Sequence, residues 1–507
     1  SNTGLSPALT ASSTTGNAID PYNVALTNPT LLNEILNFGQ YGKATQHQLQ
    51  LQANFDGSLF DIWGGAVKAV IGGKYSMEDF VSQWDINVPM GQQSGAAIPG
   101  GQFVFERTHR IANSVFAEVV TPLIGASNEI PLVHELTLDV SGRYDSYSDF
   151  GDSKTYKLGF TYKPFDNLMI RGNKGTSFDA PSLADSLAPD GRLQYSPQRT
   201  TPNNSVPPGT SAADALRPSI LVPGGDPNLG PETANTWSLG ADFRAGDYGV
   251  IDLTGLSASV TRWHAFIAHQ IGTPSGALLY TVPSYSRFYI INPTLAQLQA
   301  FGYSSFVQGP GADVASIYNA AGTNDPGTRS PLSPYILRQA RRTNLGNDKL
   351  DGYDFKVDYI RDMDWGTLSG GFSGTVSLQN STQGDYDLPW SSIQANNVPL
   401  YQVSFNVGLT TGPLSARATM NYSPSYQVNP TAQAFTLYHQ TRIGAFSPVN
   451  VNFSYDMTGL TSWSDGSNVS LAINNIADTH PPIVLSGGTA NGSTIGRYIQ
   501  IGLKKSF

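Results

Sequence analysis

The chain has 507 residues, with 13% charged, 39% apolar and 11% aromatic side chains, 52 Gly, 33 Pro and no Cys. That charged share is about half the roughly 25% of an ordinary globular protein, which disfavours both a Lys/Glu-rich helical bundle and an acidic disordered chain. A formal charge of −9 with a pI near 5.2 offers no basic face, so no nucleic-acid partner is expected.

The absence of Cys removes disulfide frameworks, thiolate metal sites and Cys nucleophiles, and it suits an exported protein. The apolar patch around Gly64–Gly73 is short and contains Lys68, so no transmembrane helix is expected, while a membrane barrel stays open. The opening SNTGLSPALTASSTTGNA has neither a basic nor an apolar leader region; a signal peptide is expected to be already removed or to belong to another chain.

Along the chain the recurring signal is period-two alternation in segments of about ten residues, the length of a membrane-spanning strand. In Tyr156–Lys163 one face reads Tyr, Leu, Phe, Tyr and the other Lys, Gly, Thr, Lys. The same pattern sets Trp237, Leu239, Ala241 and Phe243 against Ser238, Asp242 and Arg244. It recurs with Tyr353, Phe355, Val357 and Tyr359 against Asp354, Lys356 and Asp358, and with Leu414–Tyr422 around Arg417. A soluble sandwich would also alternate, but here Tyr and Phe cap the ends of the apolar faces, as in the aromatic girdles of a membrane barrel.

About fifteen strands are predicted, near 45–55, 66–77, 104–120, 133–147, 154–163, 167–177, 232–244, 248–271, 348–361, 365–380, 396–410, 412–425, 439–455, 467–475 and 495–507. Short connections (DGSLFDIW, IGASNEI, KPFDN, AGDYG, RDMD, TTG, MTGLTSWSDG) alternate with mostly longer ones, above all 178–231 and 272–347. Short turns on one rim and long loops on the other are the outer-membrane pattern. Loops of that length are functional or disordered. Disorder is expected in parts of the Pro/Ser/Gly-rich first loop, and ordered packing in the second, which carries Tyr280, Tyr285, Phe288, Tyr289, Phe301, Tyr303 and Phe306 and a short helix around Pro293–Ala300.

Several segments resemble the TonB-dependent outer-membrane receptors. Arg171-Gly172-Asn173-Lys174-Gly175-Thr176-Ser177-Phe178-Asp179-Ala180-Pro181-Ser182-Leu183 is similar to the family's stretch where a strand rises into an extracellular loop. Asn228-Leu229-Gly230-Pro231-Glu232-Thr233, followed by Trp237-Ser238-Leu239-Gly240, resembles the segment that starts the next descending strand. Asn474-Asn475-Ile476-Ala477-Asp478 with Pro481-Pro482 resembles the end of the penultimate strand, and the terminal Phe507 resembles the family's assembly signal. Arg171, Gly175, Phe178, Ala180, Pro181, Pro231, Glu232 and Phe507 thus carry the motif.

The resemblance implies an all-β, transmembrane antiparallel barrel of 22 strands around an N-terminal plug, a size class known for plugged barrels. Counting back from Phe507, residues 45–507 supply about 15 strands and 1–44 an extracellular loop segment, with no counterpart of the plug, the TonB box or the first seven strands. Open edges in lipid are not viable. A second chain carrying the plug and about seven N-terminal strands is therefore expected, with TonB acting through that plug and the protein in the outer membrane of a Gram-negative bacterium. The implied function is active import of a bulky, scarce solute; a passive porin-like barrel and a soluble β-rich carbohydrate-binding protein are the alternatives.

No catalytic, metal or cofactor site is expected. His134-Glu135 begins like a zinc-protease motif, but Leu138 stands where its second His belongs, and no nucleophile elbow or phosphate loop occurs. Asp362-Met363-Asp364 reads as a solvated turn. Lys157, Arg171, Lys174, Asp242, Arg244, Asp354, Lys356 and Arg417 are expected in the lumen, paired with one another or with the plug. Of these, Arg171, Lys174, Arg244 and Lys356 are solute-binding candidates, together with the loop aromatics Tyr285, Phe288, Tyr289, Tyr303 and Phe306, whose commoner role would be loop packing.

Overall fold

The computed structural model describes residues 39–87, 101–104, 107–186, 194–196, 207, 209–211, 214, 219–222, 224–246, 253–276, 278–300, 335–392, 399–428, 433–485 and 495–506. Fifteen long strands follow one another through the chain. They are β1 (Gly39–Ile62), β2 (Gly65–Asn87), β3 (Thr108–Ile124), β4 (Glu135–Tyr147), β5 (Gly151–Phe165), β6 (Leu168–Asp179), β7 (Glu232–Arg244) and β8 (Leu256–Gly272). The series continues with β9 (Thr343–Met363), β10 (Gly366–Gln383), β11 (Tyr401–Thr411), β12 (Leu414–Tyr422), β13 (Val449–Asp456), β14 (Ser467–Asn474) and β15 (Tyr498–Lys505). With two short strands, Gly101–Val104 and Ser391–Ser392, they form one 17-stranded sheet in which each long strand pairs antiparallel with the next. Among the described residues β1 pairs along one side, with β2, and β15 along one side, with β14.

Since side chains alternate with period two, register assigns each residue to a face. Val140 lies opposite Leu158, Phe372 opposite Phe405, Ala418 opposite Val451 and Leu471 opposite Ile501, which builds a continuous apolar face. Thr161 lies opposite Arg171, Lys356 opposite Ser373 and Asn406 opposite Thr419 on the polar face. The apolar face is bare: Val140 is 51% exposed, Val407 54% and Ile501 76%. A soluble sandwich would cover that face with a second sheet; among the described residues no sheet covers it, an arrangement that matches the wall of a membrane barrel.

The strand boundaries differ from the sequence expectation by five or more residues in six strands; β2 runs on to Asn87 rather than 77, and β9 starts at Thr343 rather than 348. β1 starts at Gly39 rather than 45 and runs through DGSLFDI to Ile62, because an irregularity between Ser58 and Phe60 resets the alternation and puts Phe60 opposite Val67. β8 starts at Leu256 rather than 248. Gly255 supplies the turn before it, with φ +94° and the Ile360 carbonyl oxygen 1.8 Å from where a Cβ would stand. β11 starts at Tyr401, not 396. β13 starts at Val449, after Pro448, while Tyr426–Gln427 and Arg442–Ile443 pair within the preceding loop. Phe507 lies outside the described residues, as do residues 1–38 of the expected N-terminal loop segment.

Candidate functional site at the loop rim and on the polar face

The long loops all leave the same rim. Two of them, β6–β7 and β8–β9, meet in a four-stranded sheet: Ser219–Val222 pairs parallel with Ile336–Gln339 and antiparallel with Gln194–Ser196, while Tyr289–Ile291 pairs with Ile336–Gln339. Apolar side chains then collapse on this platform. Leu279, Tyr280, Tyr285, Phe288, Tyr335, Ile336 and Leu345 form a buried cluster, with Tyr289 and Leu388 packed against it. Tyr285 meets Phe288 edge-on at 5.3 Å, and Tyr280 meets Tyr289 at 5.0 Å. The short helix falls at Leu295–Ala300.

Charged groups clamp the cluster. Arg287 Nη2 donates to Asp385 Oδ2 at 2.6 Å and Nη1 to Asp387 Oδ2 at 3.3 Å, tying the β8–β9 loop to the β10–β11 loop. The hydrogen bond from Arg287 to Asp385 raises the guanidinium pKa, and burial raises the phenols of Tyr280, Tyr285 and Tyr386. Arg342 Nε lies 2.9 Å from Asp185 Oδ1, joining the root of β9 to the β6–β7 loop. Arg110 on β3 donates to Asp149 at 2.6 Å and to the Pro181 carbonyl at 2.7 Å, so it anchors the start of that same loop.

The motif residues hold this junction. Phe178 stands edge-on to Tyr147 at 5.8 Å, and Glu232 accepts the backbone N–H of Ile271 at 2.7 Å where β8 departs from regular register. A Cβ on Gly175 would come 2.6 Å from the Tyr156 carbonyl oxygen.

The solute-binding candidates do not converge. Tyr285 and Phe288 are 1% and 5% exposed, so their rings fill the loop core. Tyr303 and Phe306 lie outside the described residues. Arg171 donates to Asp242 at 2.7 Å and to Thr261 at 2.8 Å on the polar face. Lys356 pairs with Asp358 at 2.7 Å, and Arg244 is exposed at the short-turn end of β7. Lys174 corrects the expectation: it lies opposite Leu158 and Trp237 on the apolar face, because three positions separate it from Arg171 and an odd spacing changes face. Its long stem can carry the ammonium to the membrane interface.

Sequence reasoning missed Arg110, Arg287, Arg342 and their carboxylate partners, since no periodicity links residues in different loops. It also left unremarked a run of neutral amides and hydroxyls on β10–β15. Two hollows open on that stretch: about 580 Å³ beside Thr375, Gln402, Asn421, Asn450 and Tyr498, and about 440 Å³ beside Thr410, Arg417, Asn452 and Gln500. Among the described residues no group of three His, Cys, Asp or Glu gathers as a metal site would require.

No curated protein matches the chain. Its fold is similar to that of a ferric enterobactin receptor variant from Pseudomonas aeruginosa solved with enterobactin, at 14% identity and TM-score 0.55, covering 91% of this chain and 54% of that one. It is also similar to the siderophore receptor PirA from Acinetobacter baumannii, at 14% identity and TM-score 0.56, covering 92% and 55% respectively. The chain thus spans about half the length of the solved receptors it matches. The family model "TonB dependent receptor-like, beta-barrel" matches residues 3–476, and the chain therefore belongs to the TonB-dependent receptor β-barrel family.

Proposed function

We propose that this chain is the greater part of the wall of a TonB-dependent transporter that imports a bulky, scarce solute across the outer membrane of a Gram-negative bacterium. One observation carries the reading: a continuous antiparallel meander with a bare apolar face, a polar face and its long loops gathered on one rim. In this reading the apolar face meets lipid, the polar face lines the lumen and the clamped loops receive the solute. Among the described residues the outer edges of β1 and β15 have no strand partner, which supports closure by about seven further strands, with a plug, from polypeptide outside these residues, because unpaired backbone groups in hydrocarbon cost several kcal/mol each. A second chain is our reading of where they come from. TonB would act through that plug. The likeness to siderophore receptors makes a siderophore-type solute the reference case.

The test is gel electrophoresis with mass spectrometry on the natively purified outer-membrane complex, combined with solute uptake in cells with and without TonB. A companion polypeptide of plug-plus-seven-strand size in equal amount, and uptake that requires TonB, are the expected results. A stable, monodisperse barrel of this chain alone, or uptake indifferent to TonB, would sink the reading.

A further inference from the structure

The polar face is divided by charge. On β2–β9 it carries Lys68, Lys74, Glu118, Asp139, Lys157 and Arg171, then Asp242 and the group Asp354, Lys356 and Asp358. Over the six strands β10–β15 the charged residues are Arg417, Asp456, Lys504 and Lys505, and all but Arg417 lie at the short-turn ends. What replaces charge there is amide and hydroxyl: Thr375, Gln402, Asn421, Asn450, Asn452 and Gln500 all point to the polar face. Both hollows lie on this half, one toward the loop rim and one toward the short turns.

We propose that this charge-poor half-wall is the track along which solute crosses the lumen, that its chemistry fits an uncharged, hydroxyl-rich solute such as an oligosaccharide, and that the charged half seats the plug. The inference rests on the reading of the polar face as the lumen lining. Hydroxyls, Asn and Gln each donate and accept, so a polyhydroxylated solute exchanges one partner for the next along the wall and is held firmly nowhere. Passage needs many weak sites of that kind rather than one strong one. Tyr498, at the upper hollow, adds a ring that is 46% exposed and can lie against a sugar face. Among the described strand residues of this track an anionic chelate would find Arg417, already donating to Asn406 at 3.0 Å, and Lys504 at the short-turn end. The opposite half, with Arg143 on Asp145 and Arg171 on Asp242, both at 2.7 Å, has the fixed charges that orient a protein partner.

The chain contains no cysteine, so single-cysteine variants report one site each. Asn452→Cys and Gln500→Cys on the neutral half, and Lys157→Cys and Asn173→Cys on the charged half, are labelled in energised cells expressing the intact transporter. The probes are a maleimide bearing an uncharged trisaccharide and a sulfonated maleimide of equal size. The neutral probe is expected to label the neutral half at least about tenfold faster than the charged half, and faster there than the sulfonated probe by a similar factor. Equal or reversed rates between the halves, or no labelling of the neutral half, overturn the track; equal rates for the two probes overturn the solute chemistry. If the preference survives collapse of the proton-motive force, the track stands and the active-transport reading fails.

Discussion

Arg287 and Asp385 come from different loops, yet the guanidinium sits 2.6 Å from a carboxylate whose side chain is fully buried. Removing the cation strands that charge away from water, and this is the costly way to break such a pair. Arg287 is itself 43% exposed, so solvent screening discounts the loss to about 2 kcal/mol. Arg287→Ala is expected to speed protease cleavage in the β8–β9 loop on intact cells while the barrel survives; an unchanged cleavage rate would show that the clamp is idle.

Alkaline pH should open the same cluster. Burial raises the phenols of Tyr280, Tyr285 and Tyr386 above the ordinary value of about 10, and for Tyr285 the Asp385 charge adds to it. The folded state therefore holds the phenolic protons more tightly than the unfolded state. The stabilisation is complete below pH about 10 and is lost as pH rises through the raised values. Phenolate absorbance and loop proteolysis, followed together at rising pH, should change at one midpoint above the free-tyrosine value while strand circular dichroism holds. Titration at the free-tyrosine value would refute the assignment.

Leu158 and Thr161 differ by three positions and so face opposite ways on β5. Leu158→Arg puts a charge on the lipid side and should destabilise by about 2–4 kcal/mol near the bilayer midplane. Thr161→Arg, on the polar face beside Arg171, should cost far less than that. The fraction migrating as folded barrel on unheated gels in graded urea measures both, and equal losses would mean that the faces are misassigned.

Gly255→Ala tests the turn between β7 and β8. The positive φ and the Ile360 carbonyl oxygen at 1.8 Å leave no room for a methyl group, so both backbone strain and a clash follow. Slower assembly and a lowered folded yield in outer-membrane fractions are expected, whereas Gly246→Ala, with open space around its would-be Cβ, should behave as the native chain.

The wall was legible from sequence because strand periodicity is local: Tyr156–Lys163 already separates its faces, and β10 to β15 follow the expected segments to within a few residues except at the starts of β11, β13 and β15. Those starts fall just past turn residues that the expected segments run straight through, Pro399 before β11, Pro448 before β13 and Gly496 before β15. Lys174 failed for a different reason, since its charge suggested a wet environment while its parity already placed it with Leu158. The rim was not legible. Arg110 reaching Pro181, and Arg287 reaching Asp385, depend on which loops the meander brings together, and nothing in the spacing of those residues encodes it. The expected disorder of the first loop falls mostly on residues outside the described ones.

The parallel pairing of Ser219–Val222 with Ile336–Gln339 restricts how this sequence can drift. Extracellular loops of a barrel ordinarily tolerate insertions freely. Here, a residue gained inside either pairing segment turns its side chains over against the buried Ile336 and Leu337, whereas one gained between a segment and its parent strand is absorbed. The two longest loops are therefore heritable as a matched pair, free to lengthen at their stems and constrained where they touch.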